Sequence, residues 1–373
     1  MAKLTSPQVS VTFTTLGRTA ISRGSKGTVA LIVRDEAKQA PFALTQAAQI
    51  PAALGKETQA YIKRTFMGYV DPPKKVIVYV MAPAETETAA EGDDQAENAL
   101  TAALDYMSTQ IFDYLCGPAD CTAAEAEQIA AWIKAQRDEN GAKCKAVLPN
   151  CAANHCAVVN FTGSGMTDGA TVWTAAEYCS RIAGLLAGTP MKISATYAPL
   201  SELSDCSRLS REATDKAVGG GELVLRWDGR KVTLNRAVTS LAPSDAETGG
   251  ELSDSLKKIK IVEVMDLIRT DITTTAEDEW IGRYTNSYDS KMLLVAAIRG
   301  YFMELEQSGL VQAGYTVDLD VEQIEQHLRG QGVDTEDMTE QQIREANTGS
   351  CVYIIAHCKI LDAIEDILIK AFI

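Results

Sequence analysis

Histidine is nearly missing from this chain. Its 373 residues contain three, His155, His327 and His357, so a Ser-His-Asp or Cys-His device would have to be built on one of them. His155 stands beside Cys156, His327 lies in a polar helical stretch and His357 in an apolar strand-like run. There is no G-x-S-x-G elbow and no H-E-x-x-H pair. Positive charge is also scarce: 35 Lys and Arg face 50 Asp and Glu, a formal net charge of −15. A phosphate backbone needs clustered cations, so nucleic acid is excluded as a main partner. No run approaches the roughly 18 apolar residues of a membrane span. The opening MAKLTSPQVSVTF lacks an apolar signal core, so the expectation is a chain kept in the cytoplasm with no membrane-spanning segment.

The usual cofactor signatures are missing as well. Gly163, Gly165 and Gly169 follow a predicted strand with the spacing G-x-G-x-x-x-G, one residue longer than a dinucleotide fingerprint, and Thr171 to Thr174 delay the next helix. No G-x-x-x-x-G-K-[ST] loop exists. The nine cysteines are an odd number without a secretion signal, which points to reduced thiols. Their densest group, Cys151-Ala-Ala-Asn-His155-Cys156, has no C-x-x-C pair to offer zinc. The acidic groups Glu277-Asp278-Glu279 and Asp318 with Asp320 read as solvated faces rather than acid-base pairs. No catalytic residue, no metal site and no cofactor is expected.

What the sequence does have is 46% hydrophobic residues in a repeating strand-helix rhythm. Val9, Val11 and Phe13 alternate with polar residues as a lone strand, followed by a Gly- and Arg-containing stretch from Gly17 to Gly27. Strands are predicted at Val29–Val33, Val76–Met81, Phe112–Cys116, Cys144–Leu148 and Cys156–Phe161. Helices are predicted over about Thr45–Met67, around Leu100, Ala103, Leu104 and Met107, after the Thr122/Glu125 capping box, and over Thr174–Leu186. Such alternation argues for a mostly parallel sheet covered on both faces. A hairpin, Glu222–Arg236, with Asp228-Gly229 as a type I′ turn, closes this domain, and Pro243–Gly250 is a linker. Beyond it come a helix around Ser255–Arg269, a second after Asp289 with Leu294, Ile298, Tyr301, Phe302 and Leu305 on one stripe, and strands at Thr316–Val321 and Cys351–Cys358. Ile367, Ile369, Ala371 and Ile373 alternate as a final strand candidate. The expected organisation is an arm over 1–20, an α/β domain over 21–245, an α+β domain over 250–360 and a second arm over 361–373.

Four stretches carry a family resemblance: Gly24-Ser-Lys-Gly-Thr-Val-Ala-Leu-Ile-Val33, Gly221 to Leu241, Ile281-Gly-Arg-Tyr-Thr-Asn-Ser-Tyr-Asp-Ser-Lys291, and Asp362-Ala-Ile-Glu-Asp366 before the last strand. End to end, the chain resembles the contractile tail sheath proteins of phages and phage tail-like particles of the Gram-positive type. The resemblance implies a subtilisin-like, doubly wound α/β domain without a protease triad and a C-terminal domain lining the sheath interior. It also implies a structural, non-enzymatic subunit that polymerises as hexameric rings stacked helically around a tail tube, with baseplate and tail-terminator proteins at the ends. Assembly would take place in the bacterial host cytoplasm. The loop Glu85–Asp94 is too short for the β-sandwich that longer relatives insert there, so this is a reduced form.

In that family the terminal strands pass between neighbours, which the two alternating termini suit. Val9, Val11 and Phe13 would each contribute roughly 1.5 to 3 kcal/mol if fully buried, against about 1 to 2 kcal/mol per residue for ordering backbone, so a single donated strand is marginal and several together hold. Leu16–Gly27 reaches at most about 40 Å, enough slack for bodies to rotate while strands stay paired. Lys257, Lys258 and Lys260 are the candidate tube-facing residues, with a solvated helix face as the plainer reading. An α/β hydrolase or nucleotide-binding enzyme, and another tail or baseplate component, are the alternatives.

Overall fold

Val29 to Val33 leave no polar side for water, and β1 (Thr28–Arg34) is accordingly an interior strand. The computed structural model describes residue 21 and residues 26–83, 92–169, 171–242 and 251–371. After β1 come the short β2 (Phe42–Leu44), α1 (Lys56–Thr65), β3 (Lys75–Met81), α2 (Gly92–Ser108), β4 (Tyr114–Cys116), α3 (Ala123–Asp138), β5 (Lys145–Pro149) and β6 (Val158–Phe161). A small hairpin, β7 (Met166–Asp168) with β8 (Thr171–Trp173), leads to α4 (Ala175–Ala187), α5 (Arg211–Gly219), β9 (Glu222–Leu223), β10 (Leu225–Trp227) and β11 (Val232–Leu234). The main sheet runs β2-β3-β1-β4-β5-β6-β9, and every pairing in it is parallel except β2 with β3.

Alternate residues of β1 feed two cores. Val29, Leu31 and Val33 meet Tyr61 and Ile62 of α1 and Tyr178, Ile182 and Leu185 of α4. Ala30 and Ile32 face the other way, toward Leu100, Leu104 and Met107 of α2 and Ile129 and Ile133 of α3. The chain is thus a mixed α/β protein whose parallel-rich sheet carries helices on both faces. Helix α4 lies so close to α1 that a Cβ on Gly184 would stand 1.9 Å from the Thr65 carbonyl oxygen. Both α3 and α4 start on complete capping boxes, Thr122 with Glu125 and Thr174 with Glu177.

Several predicted elements change length for local reasons. The helix expected from Thr45 starts only at Lys56: Pro51 breaks the run, Ala47–Gln49 forms a single 3₁₀ turn, and the Gly55 N–H is taken by the Asp35 carboxylate at 2.8 Å. The hairpin turn is not type I′, because Gly229 alone has positive φ (91°). Instead Trp227 pairs with Val232, and the Asp228 carboxylate accepts from Arg230 N (2.8 Å) and Lys231 N (2.9 Å), which also holds that carboxyl below its ordinary range. β9 joins the main sheet next to β6 rather than the hairpin. The linker Pro243–Gly250 lies outside the described residues.

The helix expected over Ser255–Arg269 is two helices, α6 (Glu251–Leu256) and α7 (Ile259–Thr275). Between them the backbone turns strand-like: Thr239 N donates to Lys257 O (2.8 Å), Ile259 N donates to Ala237 O (3.2 Å), and Val238 bridges Lys258. A π-helical turn, Ala276–Trp280, continues α7, and the remaining elements are α8 (Tyr288–Gln307), β12 (Thr316–Leu319), α9 (Val321–Gly330), α10 (Glu340–Glu345) and β13 (Ile354–His357). The chain divides into two compact units, Gly24–Thr270 with Ile360–Ile373, and Asp271–Lys359, so one boundary falls within α7. No described helix is long and apolar enough to cross a membrane.

In the larger unit, α7 is seated by charge. Asp266 meets Arg137 of α3 at 2.5 Å and Lys145 of β5 at 3.0 Å, and Glu263 accepts from Tyr114 Oη at 2.5 Å. Burial alone would raise the Asp266 carboxyl, but Lys145 and Arg137 outweigh it and hold it below the ordinary range. Asp266→Ala would leave two buried cations unmatched, with an expected loss of about 3 to 5 kcal/mol in chemical denaturation, more than Asp266→Asn. Because the folded carboxyl titrates below the unfolded one, its contribution is complete above the ordinary carboxylate range and disappears as pH falls through the folded value. Denaturation of wild type and Asp266→Asn should therefore differ at neutral pH and converge in acid. Gly184→Ala should cost about 1 to 3 kcal/mol by forcing α4 off α1, read in the same assay.

Candidate assembly interface

The unit Asp271–Lys359 contains a sheet of two strands, antiparallel β12 and β13, paired Thr316 to His357 through Leu319 to Ile354. The outer side of β12 is engaged: Val317 O accepts from Arg299 Nη2 at 2.7 Å. That bond means Val317 points its carbonyl away from β13, so by the alternation of an antiparallel ladder Ala356 and Ile354 of β13 point their N–H and C=O groups outward too. Among the described residues no third strand meets them. The result is an open edge four residues long, on a strand whose last three side chains are exposed.

The Ile281–Lys291 stretch supports this edge. Ser287 caps α8 by accepting from Ser290 N, and Asn286 Nδ2 donates to Thr348 Oγ1 (3.1 Å), Gly349 O (2.8 Å) and Cys351 O (3.0 Å). Buried Lys291 donates to Ala346 O at 2.9 Å. The residues fix the approach to β13.

The C-terminal segment belongs to the other unit and has two parts. Its first part is held by charge. Glu365, 4% exposed at its side chain, accepts from Ser194 Oγ (3.0 Å) and Thr196 Oγ1 (2.6 Å) and lies 3.4 Å from Lys258 Nζ and 3.6 Å from Arg236 Nε. Asp362 pairs with Lys258, and Asp366 with Arg236 at 2.6 Å. Burial works against the Lys258 ammonium, yet its two carboxylate partners hold it above the ordinary lysine value. Asp366 does the same for Arg236. The second part is bare: Ile367 is 73% exposed, Leu368 99% and Ile369 85%, and no helix or strand is formed from 361 to 371. Three adjacent large apolar side chains in water form a patch that isolated surface residues do not.

Of the residues singled out from sequence, Val9, Val11, Phe13 and Ile373 lie outside the described residues. Ile367, Ile369 and Ala371 are exposed and, among the described residues, paired with no strand. The three lysines do not form a common solvated helix face, because the backbone leaves helix between α6 and α7. Lys260 is 4% exposed, Lys258 is turned to Asp362 and Glu365, and Lys257 pairs with Asp254 at 2.6 Å. Sequence reading missed Ser194, Thr196 and Arg236, which hold the segment. The available signal was the acidic Asp362, Glu365 and Asp366 in an otherwise apolar tail.

The enzyme candidates take structural places. His155 Nδ1 accepts from Ala157 N (3.1 Å) and Nε2 lies 3.5 Å from Asp138, while burial keeps the ring below its ordinary pKa against the pull of Asp138. His327 bonds Tyr353 and Gln331, and His357 sits on exposed β13. A Cβ on Gly163 would stand 2.4 Å from the Phe161 ring, so that glycine serves packing. Cys151 is buried with its thiol toward Ala126 O.

Comparison with known proteins identifies the family. Residues 94–240 match the phage tail sheath protein central domain and residues 251–373 the phage tail sheath C-terminal domain. The tail sheath protein of Clostridium phage phiCD119 is 34% identical over 362 residues, covering 97% of this chain and 98% of that protein. In fold, the chain is similar to a sheath tail protein of Desulfitobacterium hafniense, with TM-score 0.66, 16% identity, and coverage of 95% and 100%. It is also similar to a chain of the anti-feeding prophage baseplate, with TM-score 0.64, 13% identity, and coverage of 99% and 99%. With both domains matched and a relative aligned over nearly its full length, the chain belongs to the phage tail sheath protein family.

Proposed function

We propose that this protein is the non-enzymatic subunit of a contractile tail sheath, that it polymerises as hexameric rings stacked helically around a tail tube, and that its terminal strands are donated to sister copies. The observation that carries the reading is an unmatched pair: a bare apolar segment, Ile367–Ile369, and an open edge on β13. Residues 367–371 are long enough to span the four residues of β13, as are Val9–Phe13. Adding such a strand satisfies the outward N–H and C=O groups of Ile354 and Ala356 and removes apolar side chains from water, each worth roughly 1.5 to 3 kcal/mol if fully buried. Several marginal links per subunit give a mesh that opens only if all release together.

The parallel-rich α/β body supports a subtilisin-like domain without its catalytic triad, acting as a rigid block between arms. The tube, baseplate and tail-terminator proteins are the partners of such a polymer, and the likeness to a chain of a six-fold symmetrised baseplate supports the hexameric ring. Contraction is rigid-body rearrangement of these blocks while donated strands stay paired, driving the tube through a cell envelope.

Two truncations test the reading, one lacking residues 1–15 and one ending at Asp366. Each should keep the far-ultraviolet dichroism of the full chain and melt within about 2 °C of it. Neither should form the long striated tubes that the full chain forms with its tail tube in negative-stain electron microscopy. Normal tubes from either would overturn strand donation.

A further inference from the structure

Two features of the chain have no place in strand donation itself: the acidic Asp362-Ala-Ile-Glu365-Asp366 run and the buried charges around α7. Their geometry links them. The chain enters β1 through Lys26, Gly27 and Thr28. Lys26 Nζ meets Glu263 Oε2 at 2.6 Å with both side chains nearly buried, and Gly27 N and Thr28 N donate to Asp113 Oδ2 at 2.7 and 2.8 Å. The same Glu263 takes the Tyr114 hydroxyl, and Asp266, one turn on, takes Arg137 and Lys145. The C-terminal run is fastened at the other end of this stretch, by Lys258 to Asp362 and Glu365, with Ser194, Thr196 and Arg236 completing the cradle. Lys258 is the residue just before α7 and Glu263 is the fifth residue of the helix, with about 6 Å of rise from Ile259 to Glu263.

We infer that the start of α7 is the common fastening of both arms: Lys26–Glu263 anchors the N-terminal arm, Lys258 with the Asp362–Asp366 run anchors the C-terminal arm, and Asp266 seats the helix on the sheet. The inference deepens the sheath reading and rests on it for the term arm. Tension from either donated strand enters the body at one helix and passes through Tyr114, Lys145 and Arg137 to β4, β5 and α3, not through a loop. It also places the exposed apolar side chains of Ile367–Ile369 directly beyond the C-terminal anchor. The two anchors differ in exposure. Asp362 and Asp366 are open to water, so salt screens their pairs; Lys26 and Glu263 are shielded, so salt barely reaches theirs.

Hydrogen-deuterium exchange and 15N relaxation on dispersed, unassembled full-length subunits test this. Glu365→Ala should lower the backbone 15N relaxation order parameters of residues 361–366 to below about 0.6 and leave exchange at 27–28 unchanged, with Glu365→Gln between it and wild type. Lys26→Met should do the reverse. Asp266→Asn, the milder of the two substitutions at that position, should loosen both ends together. Raising salt toward 1 M should loosen 361–366 alone. Unchanged order parameters at 361–366 in Glu365→Ala remove the C-terminal anchor, and Asp266→Asn loosening one end or neither removes the shared helix. Because both are read before assembly, these results are separate from the truncation experiment, which alone decides whether the arms are donated.

Discussion

An unpaired strand edge and an unburied apolar segment each cost free energy in water, and the described residues of this chain present both. The outward backbone groups of Ile354 and Ala356 are tolerable while solvated, since water replaces the missing ladder partner. Ile367, Leu368 and Ile369 have no such substitute, because only removal from water relieves them. Pairing between copies, the use proposed for these two features, would relieve both at once. β2 and β9 close the main sheet with three and two residues, too short to template much. The exposed four-residue edge of β13 is the longer invitation.

The order of the main sheet starts from one strand. Five apolar residues in β1, flanked by parallel β3 and β4 and packed on both faces, fix the sheet from its middle outward. Buried ion pairs add position more than stability. Desolvation of Lys26 outweighs its attraction to Glu263, so its pKa falls below the ordinary lysine value despite a 2.6 Å contact. Such a pair is close to neutral in net energy, yet removing one partner strands the other. The cluster therefore says where α7 must lie, and says it strongly.

What the sequence made legible was whatever depends on near neighbours. The apolar run of β1, the Leu100, Ala103, Leu104 and Met107 face of α2 and the Thr122/Glu125 box of α3 all appear where their periodicity and caps put them. Where a distant partner decides, local pattern fails. The helix break at Lys257 and Lys258 is set by Val238 across the β11 to α6 connection, and nothing in the helical pattern announces it. The cradle of Glu365 joins residues 171 and 169 positions apart in sequence. The Asp228 turn failed differently: Asp-Gly is compatible with two turn geometries, and the carboxylate's bonds to Arg230 and Lys231 chose the longer loop.

A polar root for the C-terminal arm follows from what lies beyond it. Were residues 362–366 held by apolar contacts, the bare Ile367–Ile369 stretch would merely lengthen a greasy segment whose register on the body could slide by two residues at little cost. Carboxylates at 362, 365 and 366 meet two cations and two hydroxyls at fixed points, so a slip of one residue breaks several charge-assisted bonds at once. Partial exposure keeps each exposed pair weak enough to stay wet, while the buried Glu365 supplies the pin. Charge thereby holds the run up to Asp366, and exposed apolar side chains follow it from Ile367 to Ile369.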